Sequence, residues 1–239
     1  MIFKKLFSNK REPVKVCNSN DLNCQIHEVD MIVKKRSEVA NKEFEKGYNL
    51  IKRYPRSVSI LGSARLGEDS PYYQRARNLC NKIVKELGYA VVTGGGPGIM
   101  EGANRGAFEV GGASLGFNII LPKEQSINKY VTESVDFEYF FSRKTLLFFG
   151  SESYVYFPGG YGTLDEFFEM ITLIQTGKIN PAPIILVGRE FWEPVVNLMK
   201  DLLLEKFNTI NLEDLNIFKI VDDENEIIQI IKNAPFRQQ

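Results

Sequence analysis

The chain has 239 residues, 44% hydrophobic and 25% charged, with 30 basic side chains balanced by 30 acidic ones. That is enough apolar material for one substantial core, and a formal charge of zero leaves no overall field to gather nucleic acid. No apolar run approaches the ~20 residues that a membrane helix needs, and Met1–Ser8 turns charged too early for a signal peptide, so a cytoplasmic setting is expected.

Charge is uneven along the chain. Residues 1–56 hold 13 Lys/Arg against 7 Asp/Glu and the remainder holds 17 against 23, so a basic arm precedes an acidic body. Such an arm reads as a solvated tail or a contact with an acidic neighbouring subunit more readily than as a nucleic-acid or lipid grip. Residues 1–25 show no period and read as a lead-in. From Val29 to Ile51 apolar residues fall mostly at helical steps (Val29, Ile32, Val33, Ala40, Phe44, Tyr48, Ile51), predicting a helix that must bury its stripe. Residues 1–55 are therefore an arm and helix, and residues 56–239 the main domain.

Beyond residue 56 the pattern alternates. Strands are predicted at Val58–Leu61, Ala90–Thr93, Ser114–Leu121, Tyr154–Phe157, Pro183–Val187 and Ile217–Val221, with an extended run at Val135–Phe141. Helices are predicted at Tyr72–Leu87, Gly98–Val110, Arg143–Gly150, Thr163–Gln175, Phe191–Phe207 and Glu224–Lys232. Short, near-continuous apolar strands between amphipathic helices imply an α/β fold, a Rossmann-like doubly wound parallel sheet covered on both faces.

In such a sheet ligands bind beyond the carboxyl ends of the strands. Four strand-to-helix loops should meet there: 62–65, 94–98, 140–144 and 158–163. Neither glycine loop spells G-x-G-x-x-G, since Ile99, Glu101 and Asp165 occupy the third glycine position in the three possible registers. No P-loop is present either, which leaves backbone nests sized for a mononucleotide or sugar phosphate. No cofactor is expected. Cys17, Cys24 and Cys80 match neither a zinc site nor a disulfide framework, and the single histidine, His27, lies far from every glycine loop, so no metal is expected.

Arg143 and Lys144 bring cations between Phe140-Phe141 and Leu146–Phe149, flanks expected to be buried, and so to need anionic partners. Glu166 stands one turn past the last glycine bend. It has two readings: an acid/base group at an anion cradle, or the far half of a capping box with Thr163 as N-cap.

The segment Pro158-Gly-Gly-Tyr-Gly-Thr-Leu-Asp-Glu166 resembles the PGGxGTxxE motif of the LOG ("lonely guy") phosphoribohydrolases, a family often labelled lysine decarboxylase. Residues 94–100 resemble its GGGxxGxM loop, and Arg143-Lys144 its Arg-Lys pair. The resemblance covers roughly residues 56–235. It implies a homo-oligomer that cleaves nucleoside 5′-monophosphates, AMP or cytokinin ribotides, to free base and ribose 5-phosphate. Carried over by position, Arg143 and Glu166 are the catalytic pair and Lys144 a substrate-binding lysine. The remaining substrate-binding candidates are Gly62, Ser63, Gly95, Gly96, Gly98, Met100, Glu124, Gly159, Gly160, Tyr161, Gly162, Thr163 and Thr172, with Gly160–Thr163 on the phosphate. Phe140-Phe141, where short members have Met-His, together with the N-terminal extension, is similar to a longer branch of the family.

N-glycoside hydrolysis passes through an oxocarbenium-like cation, which a carboxylate at Glu166 could stabilise while water attacks. The alternative is a carrier of a phosphorylated cofactor such as molybdenum cofactor, which holds its cargo without hydrolysing it. Pyridoxal-phosphate chemistry finds no lysine setting to support it.

Overall fold

The computed structural model describes residues 22–121 and 127–237. Seven parallel strands form one sheet: β1 (Ser57–Leu61), β2 (Ala90–Thr93), β3 (Ser114–Ile119), β4 (Glu133–Phe137), β5 (Ser153–Tyr156), β6 (Ile184–Leu186) and β7 (Phe218–Ile220). Their order is β4-β3-β2-β1-β5-β6-β7. The chain thus starts at the centre, winds outward through β4, then returns beside β1 and winds the other way. The switch point lies between β1 and β5, where two neighbouring loops diverge and leave a crevice.

Side chains alternate across the sheet with the period of two that a strand imposes. Val58, Ile60, Val91, Val155, Phe157, Ile185 and Val187 join one core, against α2 (Pro71–Lys82), α3 (Ile99–Phe108) and α7 (Glu224–Lys232). Leu61, Val92, Tyr154, Tyr156, Ile184 and Leu186 join the other, against α4 (Phe140–Phe149), α5 (Tyr161–Gln175) and α6 (Arg189–Leu198). Both faces are covered, as the apolar strands require. π-helical turns extend α2 over Ile83–Leu87 and α6 over Met199–Lys206, and Leu212–Asn216 forms a short 3-10 helix.

The N-terminal helix α1 spans Leu22–Ile51. It begins before the predicted Val29, and residues 22–25 belong to it; the rest of the predicted lead-in lies outside the described residues. Its buried residues lie in the second half, where Ala40, Glu43, Leu50 and Ile51 are buried and the helix contacts α4 and β4. Gly47 sits so close to Leu146 that a Cβ there would lie 2.3 Å from its Cδ1. Ring contacts Phe44–Phe141 and Tyr48–Phe149 run in the same chain direction, so α1 is parallel to α4. The first half leaves Leu22, Ile26, Val29, Ile32 and Val33 exposed.

Several boundaries differ from expectation, three of them beside the sheet's carboxyl-edge loops. The extended run stops at Phe137, and α4 begins at Phe140, three residues earlier than predicted. Phe140 and Phe141 consequently stand in the first helical turn, 54% and 49% exposed, and not in the core. Helix α5 begins at Tyr161 with Gly160 as N-cap and no side-chain cap, so Thr163 is its third residue and not its cap.

Candidate active site

At the carboxyl edge of the sheet the four loops surround a cavity of about 560 Å³. Its floor is the Arg143–Glu166 pair. Arg143 Nη1 donates to Glu166 Oε1 at 2.7 Å, and Arg143 Nε donates to the Phe117 carbonyl of β3 at 2.7 Å. Both side chains are largely buried, 8% and 12% exposed. Opposite charges so placed stabilise each other only because geometry and extra hydrogen bonds offset desolvation; removing either partner strands the other. Glu166 is thus engaged by Arg143 and does not close a capping box with Thr163.

The guanidinium fits because a glycine faces it. A Cβ at Gly94 would stand 2.5 Å from Arg143 Nη2 and 2.9 Å from Met100 Sδ. At Gly98, the N-cap of α3, φ is +71° and a Cβ would meet the Ser63 carbonyl at 2.3 Å, so only glycine lets the first and second loops close together. Backbone bonds tie the three loops through Ser63. Its N–H donates to the Pro158 carbonyl and its carbonyl accepts from Ile99 N–H, both at 3.0 Å. Thr163 tucks beneath Gly159, where a Cβ would fall 2.1 Å from its hydroxyl.

Below the second loop runs a buried polar chain. Gly95 N–H donates to Thr93 Oγ1 at 2.8 Å, and Thr93 Oγ1 donates to Asn104 Oδ1 at 2.7 Å. Asn104 Nδ2 reaches Ser114 Oγ at 2.8 Å. Asn128 Nδ2 reaches Asn104 Oδ1 at 2.9 Å, Gly95 O at 3.1 Å and Gly96 O at 3.0 Å. With the Gly95 and Gly96 carbonyls held from beneath, the loop's shape is set by its supports.

Of the residues expected from sequence, Gly62, Ser63, Gly96, Met100, Arg143, Gly160, Tyr161, Gly162, Thr163 and Glu166 line the cavity. Gly95, Gly98 and Gly159 stand behind the lining. Lys144 points elsewhere: it bridges to Glu169 and, at 3.1 Å, to Asp165 on the outer side of α5. Burial works against its ammonium, yet those two carboxylates hold its pKa above the ordinary lysine value. Thr172 is exposed, and its hydroxyl donates to the Phe168 carbonyl at 2.7 Å; neither it nor Lys144 lines the cavity. Glu124 lies outside the described residues. The lining also includes Arg65, Asn118, Ile119, Leu121 and Phe140, none of them among the site residues expected from sequence. The rule that ligands gather at strand carboxyl ends would have found Asn118 and Ile119, the last residues of β3.

A family model described as possible lysine decarboxylase matches residues 100–231, more than half of the chain. The chain belongs to this family, the LOG family. Its LOG relatives are distant. The cytokinin riboside 5′-monophosphate phosphoribohydrolase of Rhodococcoides fascians is 26% identical over 160 residues, covering 65% of this chain and 79% of that protein. LOG4 of Arabidopsis thaliana, which bears the same activity in its name, is 26% identical over 183 residues, covering 75% and 81%. Among solved structures, the molybdenum cofactor binding protein of Rippkaea orientalis superimposes with a TM-score of 0.53 at 20% identity, covering 74% of this chain and 95% of that one. The molybdenum cofactor carrier protein of Chlamydomonas reinhardtii gives 0.53 at 22% identity, covering 74% and 96%. At such identity these structures establish the Rossmann-like fold alone. Among the described residues no helix is long and apolar enough to cross a membrane.

Proposed function

We propose that this LOG-family chain hydrolyses the N-glycosidic bond of nucleoside 5′-monophosphates, giving a free base and ribose 5-phosphate. The observation that carries the reading is the buried Arg143–Glu166 pair on the floor of the cavity. Bond cleavage leaves positive charge on the ribose ring, and the Glu166 carboxylate either stabilises that charge or takes a proton from the attacking water. Water supplies hydroxide to C1′ and a proton to the departing base. Arg143, anchored on the Phe117 carbonyl, fixes the carboxylate in place. The uncapped start of α5 offers N–H groups to the 5′-phosphate.

A carrier of an anionic cofactor needs cations but has no use for a positioned carboxylate, which favours the hydrolase. Incubation of the protein with AMP and with a cytokinin riboside 5′-monophosphate, followed by chromatography, tests it. Release of base and ribose 5-phosphate, lost in Glu166→Gln, is expected; no base above the blank from any nucleoside monophosphate would end the proposal. We further propose a homo-oligomer, supported by the apolar residues that α1 leaves exposed. Light scattering of the full chain checks this, and a monomeric mass would refute it.

A further inference from the structure

We propose that Arg65 is the cation that binds the 5′-phosphate at the mouth of the cavity and so selects a monophosphate over an uncharged nucleoside. The inference rests on the substrate class proposed above, and it follows from counting charge. Among the described residues three charged side chains line the cavity: Arg65, Arg143 and Glu166. Arg143 and Glu166 are paired at 2.7 Å and together contribute nothing net. Lys144, the cation that sequence pointed to, is engaged by Glu169 and Asp165. Among the described lining residues, Arg65 is the cation left uncompensated to offset the Glu166 carboxylate that an entering phosphate dianion would meet.

The placement of Arg65 suits the task. Its own N–H donates to Ser63 Oγ at 3.0 Å. Ser63 in turn is bound to Pro158 of the fourth loop and Ile99 of α3. The root of the side chain is thus fixed to the same framework that presents Gly160–Thr163 to the cavity. Among the described residues no carboxylate pairs with the guanidinium. An arginine with its backbone held and its fork unengaged can close on phosphate bidentately, while the α5 N-terminus meets the same group from the other wall.

Calorimetric titration of the native protein with ribose 5-phosphate, with ribose as the uncharged control, is the test, repeated for Arg65→Ala and Arg65→Lys. Removing a charge-assisted contact should raise the Kd for ribose 5-phosphate about tenfold or more. Lysine should restore part of the loss, and the weak binding of ribose should not change. Salt should weaken native binding more steeply than binding by Arg65→Ala. Equal Kd values for native and Arg65→Ala, or no binding by the native protein, overturn the proposal. Arg65-dependent binding without base release from any nucleotide would leave the phosphate anchor standing and remove the hydrolase. Base release with unchanged KM in Arg65→Ala would do the reverse.

Discussion

Glu43 of α1 accepts hydrogen bonds from Ser142 Oγ and, at 2.6 Å, from the Glu138 N–H, so the helix ahead of the sheet secures the start of the helix that carries Arg143. Tyr139, the N-cap of α4, makes no side-chain cap bond, and the Glu43 carboxylate at that end interacts favourably with the helix dipole. Glu43→Ala is expected to cost about 1–2 kcal/mol, the range of a lost cap. It should also lower kcat for base release with little change in KM, because it loosens the guanidinium and leaves the cavity mouth untouched. Thermal melts beside steady-state kinetics separate the two; an unchanged kcat at the lower stability would make Glu43 a structural cap alone.

Glu166→Gln keeps the shape of the side chain and removes its charge. If the carboxylate takes part in the chemistry, kcat should fall roughly 10²–10⁴-fold while circular dichroism stays native. Near-normal turnover in a folded variant would take the glutamate out of the mechanism.

Arg143→Met is expected to destabilise strongly, by about 3–5 kcal/mol, because Glu166 is then a buried charge with no partner. The double variant Arg143→Met/Glu166→Met should recover most of that loss, though not activity. Denaturant midpoints of the four proteins give the coupling directly.

Gly94→Ala tests the close approach at the floor. The nearest atom to the added methyl is the far end of the Arg143 side chain, which can shift, so the melting temperature should fall only modestly while base release drops. Gly98→Ala, with φ of +71° and a backbone carbonyl in the way, should instead unfold readily.

Acid sensitivity has identifiable sources. Arg77 and Arg105 hold the Glu109 carboxyl below the ordinary glutamate value. Asp222, although burial acts against its charge, is held below the ordinary aspartate value by Arg75 and by the N–H groups of Gly188 and Arg189. A depressed folded-state pKa contributes stability that is complete above the unfolded value, about 4, and is lost as pH falls through the folded one. Melting temperatures followed from pH 7 downward should fall below about pH 4, less steeply in Glu109→Gln and Asp222→Asn.

Strand identities, parallel order and the convergence of four loops were legible because apolar runs and glycine turns are local signals. The starts of α4 and α5, the two helices that carry the ion pair, were not. Phe140 and Phe141 look like core residues by composition, yet the turn after β4 places them in the first turn of α4, half in solvent. Thr163 fits a capping pattern, but the preceding glycines let the helix begin two residues sooner. Pairing across the fold was hardest to foresee. The Lys144 contact to Glu169 and the Glu43 contact to Ser142 join residues far apart in sequence. Glu43 even falls three residues after Ala40 and four before Gly47, on the buried stripe, where a charged residue signals a partner waiting inside.

The hydrogen-bonded series from Thr93 through Asn104 to Asn128 has an evolutionary corollary. A platform built from main chain and propped by interior side chains does not depend on what stands around its rim. Asn118, Ile119 and Phe140 line the cavity without entering that series of bonds. A scaffold of that kind is free to change the cargo it admits, which suits an architecture found in both cofactor carriers and nucleotide-processing relatives.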